Sequence, residues 1–342
     1  MKRLFLSMLT LLVAVVGAEA KNWKIGPSSV SGMNFASINA AMSSTDVKKG
    51  DTLYLDQFYN ENEEQTVNKQ VVIIGTGYDT SLSDEQVVAT LTNTLHLKSN
   101  NVTVKSVKIT RAFFYNQECI LDRCYITDYI KTNSTTAGMN HIYSCFAIGS
   151  ISGYNNDNPS KMDIQNSVVY ITKRAENISS LTSSIIRYNT IINTYGNANC
   201  IARVANTDIS NNIILKTYDG EYHNDFATDV INSGSGNSIE HNILSHPNAL
   251  EYFPNNKIGF GGSSSELFTQ IGDFSDYYKL AEGSAALGYA TDGGEVGCHG
   301  GMFGCPSGGR PQYIPYFTKV IVGSRTEDGK LPVKVTIKIQ DE

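Results

Sequence analysis

Several charged side chains in the irregular stretches of this 342-residue chain could transfer protons or hold a charged ligand. An acidic or basic group held in the right protonation state can act as a general acid or base. The candidate catalytic residues are Lys173, Arg174, Arg203 and Asp229. The candidate substrate-binding charges are His223 and Asp225. Taken singly, each of these residues is better explained as a solvated loop charge, so the predicted site is the group.

Tyrosine is abundant, and its flat ring can stack on the C–H face of a sugar. The tyrosines assigned to substrate binding are Tyr195, Tyr218 and Tyr222. The alternative, that these side chains pack loops onto the body of the protein, stays open.

A short repeat separates these stretches: an apolar residue, a small or amide residue three positions later, and an apolar residue two beyond that. Its copies begin at Val104, Leu121, Ile142, Ile164, Ile186, Ile209 and Ile239, with a period of about 22 residues. One coil of a parallel β-helix has this length, whereas a leucine-rich repeat needs leucines at several fixed places. The sequence therefore predicts an all-β fold, a single-stranded right-handed parallel β-helix with a short N-terminal capping helix.

The middle residue of each repeat should turn inward at a corner of the coil. Asn189, Asn212 and Asn242 would then stack and share amide hydrogen bonds, as in other stacked β structures. Cys124 and Cys145 occupy the same position in adjacent coils, within reach of a disulfide. Two stacked free thiols are an equally good interpretation. Because equivalent residues of successive coils stack, the candidate charges are expected to form one exposed patch.

The first 20 residues have the features of a secretory signal peptide: a basic start, an apolar run and Ala18-Glu19-Ala20 before the cut. The expected location is secreted, periplasmic or at the cell surface. No later stretch reaches the roughly 18 apolar residues of a membrane helix, so no membrane span is expected.

Both ends of the remaining chain carry a resemblance to a known superfamily. Phe35–Met42 has helical spacing and precedes a turn at Lys49-Gly50-Asp51 and a strand at Thr52–Leu55. This order resembles the cap and first coils of the pectate-lyase-like right-handed parallel β-helix superfamily. Gly283–Gly288 and Gly297–Gly301, with neighbouring Gly- and Pro-rich motifs, are similar to the close of secreted β-helix proteins from Bacteroides-type bacteria.

The resemblance implies a protein directed at a polysaccharide or other glycan, either a polysaccharide lyase or glycoside hydrolase, or a non-catalytic adhesion or glycan-binding protein. Lyases of this fold use a basic residue together with a cation or Ca²⁺, so Ca²⁺ is a candidate cofactor. Hydrolases use two facing carboxylates. The signature motifs of pectate lyases and polygalacturonases are missing, and neither set of catalytic residues transfers to this chain.

Cys298 and Cys305 are predicted to close a small disulfide loop, since an exported protein meets an oxidising environment. With His299 they could instead bind zinc, but a fourth ligand is missing from the neighbourhood, and no metal site is predicted. Cys119 and Cys200 have no obvious partner in the sequence.

Three regions follow from these patterns: a signal peptide over 1–20, the β-helix with its cap over 21–315, and a C-terminal strand segment over 316–342 that packs on the coils. Alternation of apolar and polar residues over Leu331–Ile339 predicts a strand. The formal net charge of −6 offers no basic surface for nucleic acid. A monomer is expected.

Overall fold

The computed structural model describes residues 20–78, 88–133, 138–171, 175–195, 198–216, 231–232, 234–245, 248–259, 266–269, 278–305, 308–309, 316–322 and 333–338. The strands of the first half are β1 (Asn22–Ile25), β2 (Thr52–Leu55), β3 (Asn60–Glu61), β4 (Gln65–Val67), β5 (Val72–Ile74), β6 (Thr90–Leu97), β7 (Thr103–Lys105), β8 (Lys108–Phe114), β9 (Ile120–Asp122), β10 (Tyr125–Thr132), β11 (Met139–Tyr143), β12 (Phe146–Ala147), β13 (Ser150–Ser152) and β14 (Lys161–Gln165).

The second half contributes β15 (Val168–Ile171), β16 (Ile178–Thr182), β17 (Ile185–Arg187), β18 (Thr190–Asn193), β19 (Ile201–Ala205), β20 (Asp208–Ser210), β21 (Ile213–Lys216), β22 (Ile231–Asn232), β23 (Ser238–Glu240), β24 (Ile243–Leu244), β25 (Lys257–Ile258), β26 (Tyr316–Val322) and β27 (Val333–Lys338). The helices are α1 (Ile38–Ser43) and α2 (Ala249–Tyr252).

Strands β1 to β25 wind into a right-handed parallel β-helix with three faces, as the sequence predicts. Face 1 is the ten-stranded parallel sheet β1-β2-β5-β7-β9-β11-β14-β17-β20-β23. The larger sheet bends into two faces, because the long strands β6, β8 and β10 each shift register midway. Face 2 continues from their first halves through β12, β15, β18, β21, β24 and β25, and face 3 from their second halves through β13, β16, β19 and β22.

The predicted repeat register is confirmed residue by residue. On face 1, Leu121 pairs with Ile142, and that register continues to Ile164, Ile186, Ile209 and Ile239. On face 2, the last residue of each repeat stacks in the same way, from Ile109 on Ile126 to Ile214 on Leu244. All of these side chains except the partly buried Ile239 are fully inaccessible and form the interior of the coils.

The corner between faces 1 and 2 carries the predicted ladder. The main-chain N–H and side-chain amide of Asn189 both donate to Asn212 Oδ1, at 2.9 and 3.0 Å. Asn212 makes the same pair of bonds to Asn242, and Asn242 to Asn256. Cys124 and Cys145 extend this column as buried residues, with Cys124 N donating to Cys145 Sγ, and both the disulfide and the stacked thiols stay open as predictions.

Helix α1 closes the amino-terminal end of the stack. Ser37 caps it by accepting a hydrogen bond from Ala40 N at 3.1 Å. Ile38, Ala41 and Met42 are buried in the same apolar cluster as the first coils, which removes an open apolar end from water. The predicted capping helix and the strand over Thr52–Leu55 are both present.

A second apolar cluster lies outside the coils, between face 2 and residues 278–305, a segment that we call the strap. Val168, Ile213 and Ile243 project outward from face 2 and pack with strap residues such as Val296. The strap runs back along the coils and forms hydrogen bonds with successive corners. Gly297 N donates to Asn211 O, Asn166 Nδ2 to Cys298 O, and Ser144 Oγ to Phe303 O, at 2.9, 3.0 and 3.0 Å respectively.

Strand β27 confirms the strand predicted from alternation near the C-terminus. It pairs antiparallel with β26 in a separate two-stranded sheet, whose packing on the coils stays a prediction. The signal peptide falls outside the described residues except for Ala20. None of the helices in the described parts of the chain is both long and apolar enough to span a membrane.

Candidate functional site

Most of the predicted site residues lie outside the part of the chain that the structure describes. This is true of Lys173, Arg174, Tyr218, Tyr222, His223, Asp225 and Asp229. Arg203 and Tyr195 are described, and the cavity that Arg203 borders is not lined by Tyr195. The predicted patch of stacked charges therefore stays a prediction.

Arg203 lies on β19 of face 3, in a left-handed backbone conformation with φ of 53°. Its guanidinium donates to Asn156 Oδ1 at 2.7 Å and to Glu176 Oε1 at 2.9 Å. This pairing lowers the pKa of the Glu176 carboxyl. The three side chains border an open cavity of about 310 Å³, and Lys131 and Tyr154 line it as well.

A different cluster, on the outer surface of face 1, combines the groups that proton transfer requires. His141 and Tyr143 are two residues apart on β11, so both project away from the core. Asp163, on β14, is the register partner of His141, and Gln165 is that of Tyr143. Glu118 lies one coil earlier, in the turn before β9. We call Glu118, His141, Tyr143 and Asp163 the face-1 cluster.

The Tyr143 hydroxyl is the centre of this cluster. It donates to Asp163 Oδ2 at 2.6 Å and lies 2.7 Å from Nδ1 of His141. The other ring nitrogen of His141 lies 3.3 Å from Glu118 Oε2. Since the hydroxyl proton points to Asp163, Nδ1 must carry its own proton to bond the hydroxyl oxygen. The geometry thus favours a doubly protonated His141 between two carboxylates.

The electrostatics of the cluster favour the same protonation states. The hydrogen bond to Asp163 and the neighbouring Glu118 raise the pKa of His141, against the effect of burial. Burial raises the pKa of Asp163, but hydrogen bonds from His141, Tyr143 and Gln165 outweigh it and lower the pKa overall. Burial and the Asp163 carboxylate raise the pKa of Tyr143. These directions favour the ionised form of Asp163, the protonated form of His141 and the neutral phenol of Tyr143.

A cavity of about 420 Å³ opens beside Tyr143, between face 1 and the strap. Lys105 and Asp122 line it, with 3.1 Å between the ammonium and the carboxylate. Phe303 and Met302 of the strap form its other wall, and the Phe303 ring stacks on that of Tyr143 with 4.1 Å between centroids. A polar group with a shifted pKa at the edge of a cavity is typical of an active site.

The sequence analysis missed this cluster, although a signal was present. The two polar residues of His141-Ile142-Tyr143 and of Asp163-Ile164-Gln165 flank the first apolar residue of successive repeats. In a β-helix such flanking positions face outward and stack from coil to coil. Comparing them across repeats would have placed His141 beside Asp163.

Cys298 and Cys305 lie together in the strap, with 3.4 Å between the two sulfurs and no bond joining them. The predicted disulfide therefore stays a prediction. Burial disfavours the Cys298 thiolate, but the hydrogen bond with Cys305 and the charge of His299 outweigh it and lower the pKa of Cys298 to about 7. The ligand atoms of Cys298, His299 and Cys305 lie within 4.8 Å of one another, so the zinc alternative also has a geometric basis.

No family model, no curated protein and no solved structure matches the chain.

Proposed function

We propose that this chain is an exported, glycan-directed β-helix protein that cleaves a glycosidic bond, with Tyr143 as the proton donor. The observation that carries the proposal is a Tyr143 hydroxyl held between His141 and Asp163, on a side chain that lines the same cavity as Lys105 and Asp122. The signal-like N-terminus, which favours export, and the resemblance to secreted β-helix proteins support the substrate class.

The chemistry follows from the protonation states. Both lyases and hydrolases of glycans break a C–O bond whose electron pair stays on the departing oxygen, which then needs a proton. Tyr143 is held protonated, and its hydroxyl proton leaves Asp163 for the departing oxygen while the His141 imidazolium returns a proton to the phenolate. The sugar carbon gains water in a hydrolase, or the neighbouring C–H loses its proton to a base in a lyase. Asp163 orients Tyr143 through Oδ2, which also lies 3.5 Å from His141 Nδ1, and Gln165 donates to its other oxygen, Oδ1. Lys105 borders the same cavity in an ion pair with Asp122.

Turnover of glycans by Tyr143→Phe tests the proposal. The mature protein is incubated with uronate-containing and neutral polysaccharides, with Ca²⁺ and with a chelator, while unsaturated products and reducing ends are measured. We expect Tyr143→Phe to lower the rate by at least about 100-fold, because positioned proton donors contribute that much. Tyr252→Phe, at a tyrosine that is 60% exposed on α2, is the matched control and should keep full activity. Equal rates for wild type and Tyr143→Phe on a cleaved substrate would refute the role of Tyr143.

A non-catalytic glycan-binding or adhesion protein is the second candidate. A row of aromatic side chains on face 3, distant in the fold from the face-1 cluster, favours it, since stacked rings bind sugars without chemistry. Binding on a glycan array together with no turnover of any bound glycan would favour this candidate over the first.

A further inference from the structure

Cys298, His299 and Cys305 bring three metal-ligating side chains together in the strap, and we call them the strap cluster. Their ligand atoms, two sulfurs and one ring nitrogen, all lie within 4.8 Å of one another, and the two sulfurs are 3.4 Å apart. In a tetrahedral zinc site with bonds of about 2.3 Å to sulfur and about 2.0 Å to nitrogen, such atoms lie roughly 3.5 to 3.8 Å apart. The three donor atoms are therefore already near the spacing that one zinc ion requires.

The coils hold both ends of the loop that carries these ligands. Cys298 O accepts a hydrogen bond from Asn166 Nδ2 at 3.0 Å, and Cys298 N donates to Thr190 Oγ1 at 3.2 Å. At the other end, Gly304 O, next to the second cysteine, accepts a hydrogen bond from Ser144 Oγ at 2.8 Å. Asn166 and Ser144 follow the paired strands β14 and β11, so they are equivalent corner residues of adjacent coils. Ligands fixed by rigid elements are preorganised for a metal ion.

The surroundings of the strap cluster favour a divalent ion. Cys298 is 1% exposed, and Cys305 packs against the same apolar cluster between face 2 and the strap. Metals bind the thiolate form of cysteine, and a charge in apolar surroundings is costly unless it is neutralised. Two thiolates and a divalent ion leave no net charge, whereas a monovalent ion would leave a negative one. Cys305 and His299 are partly exposed, which gives an ion a path from solvent.

We propose that the strap cluster, in its reduced form, binds one Zn²⁺ through Cys298 Sγ, Cys305 Sγ and a ring nitrogen of His299. Sulfur and imidazole donors suit zinc, whereas Ca²⁺ and Mg²⁺ take oxygen ligands. In the described parts of the chain, no fourth His, Cys, Asp or Glu joins the group. Water takes the fourth position, as it does in zinc sites with three protein ligands.

The ion would fasten one wall of the cavity beside Tyr143. Loop 298–305 carries Met302 and Phe303, which line that cavity, and coordination joins the two ends of the loop. A disulfide between the two sulfurs excludes the ion, so the redox state of the pair decides which link forms. The site goes beyond the proposed bond cleavage, because none of its ligands belongs to the face-1 cluster.

Zinc binding by the reduced, metal-free protein tests the proposal. The mature chain is reduced with a phosphine and titrated with Zn²⁺ in competition with a chromophoric chelator. We expect one ion per chain with a Kd in the micromolar range or below, and no binding once the pair has been oxidised. Co²⁺ in place of Zn²⁺ should give the intense visible bands of a tetrahedral site and charge-transfer bands from sulfur. Failure of the reduced protein to bind zinc would overturn the proposal.

The variant His299→Gln separates a metal site from a simple pair of thiols. It keeps both cysteines, yet it should weaken zinc binding by more than the roughly 10- to 100-fold that follows loss of an outer-shell partner. Cys305→Ser, at a partly exposed position, should lose the sulfur bands of the cobalt form. The matched controls His96→Gln and Cys119→Ser change a histidine and a cysteine of the coils and should bind zinc as wild type does. Equal zinc binding by His299→Gln and wild type, or by oxidised and reduced protein, would contradict the assignment.

Discussion

At the scale of single residues, charge and hydrogen bonding make His141 the most constrained group of the candidate site. Its ring bridges Glu118 and Asp163, both more than 20 positions away in sequence. An imidazolium between two carboxylates is stabilised only while all three are ionised. The protonation state needed for proton return to Tyr143 is therefore also the state that stabilises the folded coils.

The stability that His141 contributes is expected to depend on pH in a bell-shaped way. A raised pKa in the folded state means that the His141 contribution is complete below its ordinary value of 6.5 and is lost as the pH rises through the folded value. The lowered pKa of Asp163 gives a contribution that is present above 3.8 and lost as the pH falls through its folded value.

Urea unfolding of wild type and His141→Gln across this range checks the prediction. The difference in unfolding free energy should be greatest between pH 3.8 and 6.5, on the order of 2 kcal/mol, and should decline on both sides. In Asp163→Asn the decline on the acid side should be much smaller. A difference that does not vary with pH would contradict the assignment of charges.

At the scale of elements, the corners rather than the short strands determine how one coil sits on the next. From β7 onward, each face-1 strand is followed by a residue with positive φ and then by the corner residue, as at Tyr188-Asn189 and Asn211-Asn212. A second ladder, which the sequence analysis did not identify, precedes face 1: Thr207 N donates to Asn237 Oδ1 at 2.9 Å. Buried amides at fixed places hold the register, because a slipped coil would leave them unpaired.

Asn212→Ala is expected to destabilise the protein by about 3 kcal/mol, since it leaves the Asn189 amide and the Ile186 carbonyl without their partners inside the coils. Equilibrium unfolding in urea measures the loss. Asn158→Ala, at an exposed loop position, is the matched control and should change stability little. Similar losses for both variants would show that the ladder does not stabilise the coils.

At the scale of the whole molecule, the strap joins coils that are far apart in the chain. Ser144 and Phe303 are 159 positions apart and share a hydrogen bond, and the Phe303 ring completes the cavity beside Tyr143. A covalent link inside the strap would hold this wall in place. Cys298 and Cys305 are positioned for such a link.

The proposed export leads us to expect that Cys298 and Cys305 are oxidised to a disulfide while the four coil cysteines stay reduced and buried. Differential alkylation and peptide mass spectrometry identify the pair. Reduction should lower the unfolding free energy by about 2 kcal/mol, because the bridge closes a short loop. Reduction of the Cys298→Ser, Cys305→Ser double variant should have no effect. Bound zinc with both thiols reduced would instead support the metal alternative.

The sequence by itself determined the coils. The period, the inward apolar pair and the Asn corner are local patterns, and stacking repeats them in space, so register and ladder could be read from residues such as Ile186, Asn189 and Ile191. The helical cap was predictable for the same reason, since its apolar spacing is contained in eight residues.

Only the tertiary structure decided the candidate site. Glu118, His141 and Asp163 lie on three successive coils, and Phe303 reaches the cluster from the strap. No short stretch of sequence therefore contains all of these residues. A proton-transfer cluster depends on distances between side chains, and in a β-helix the closest neighbours of a residue lie about one coil away along the chain. The same stacking that makes the fold predictable from the sequence places the residues of the site far apart along the chain.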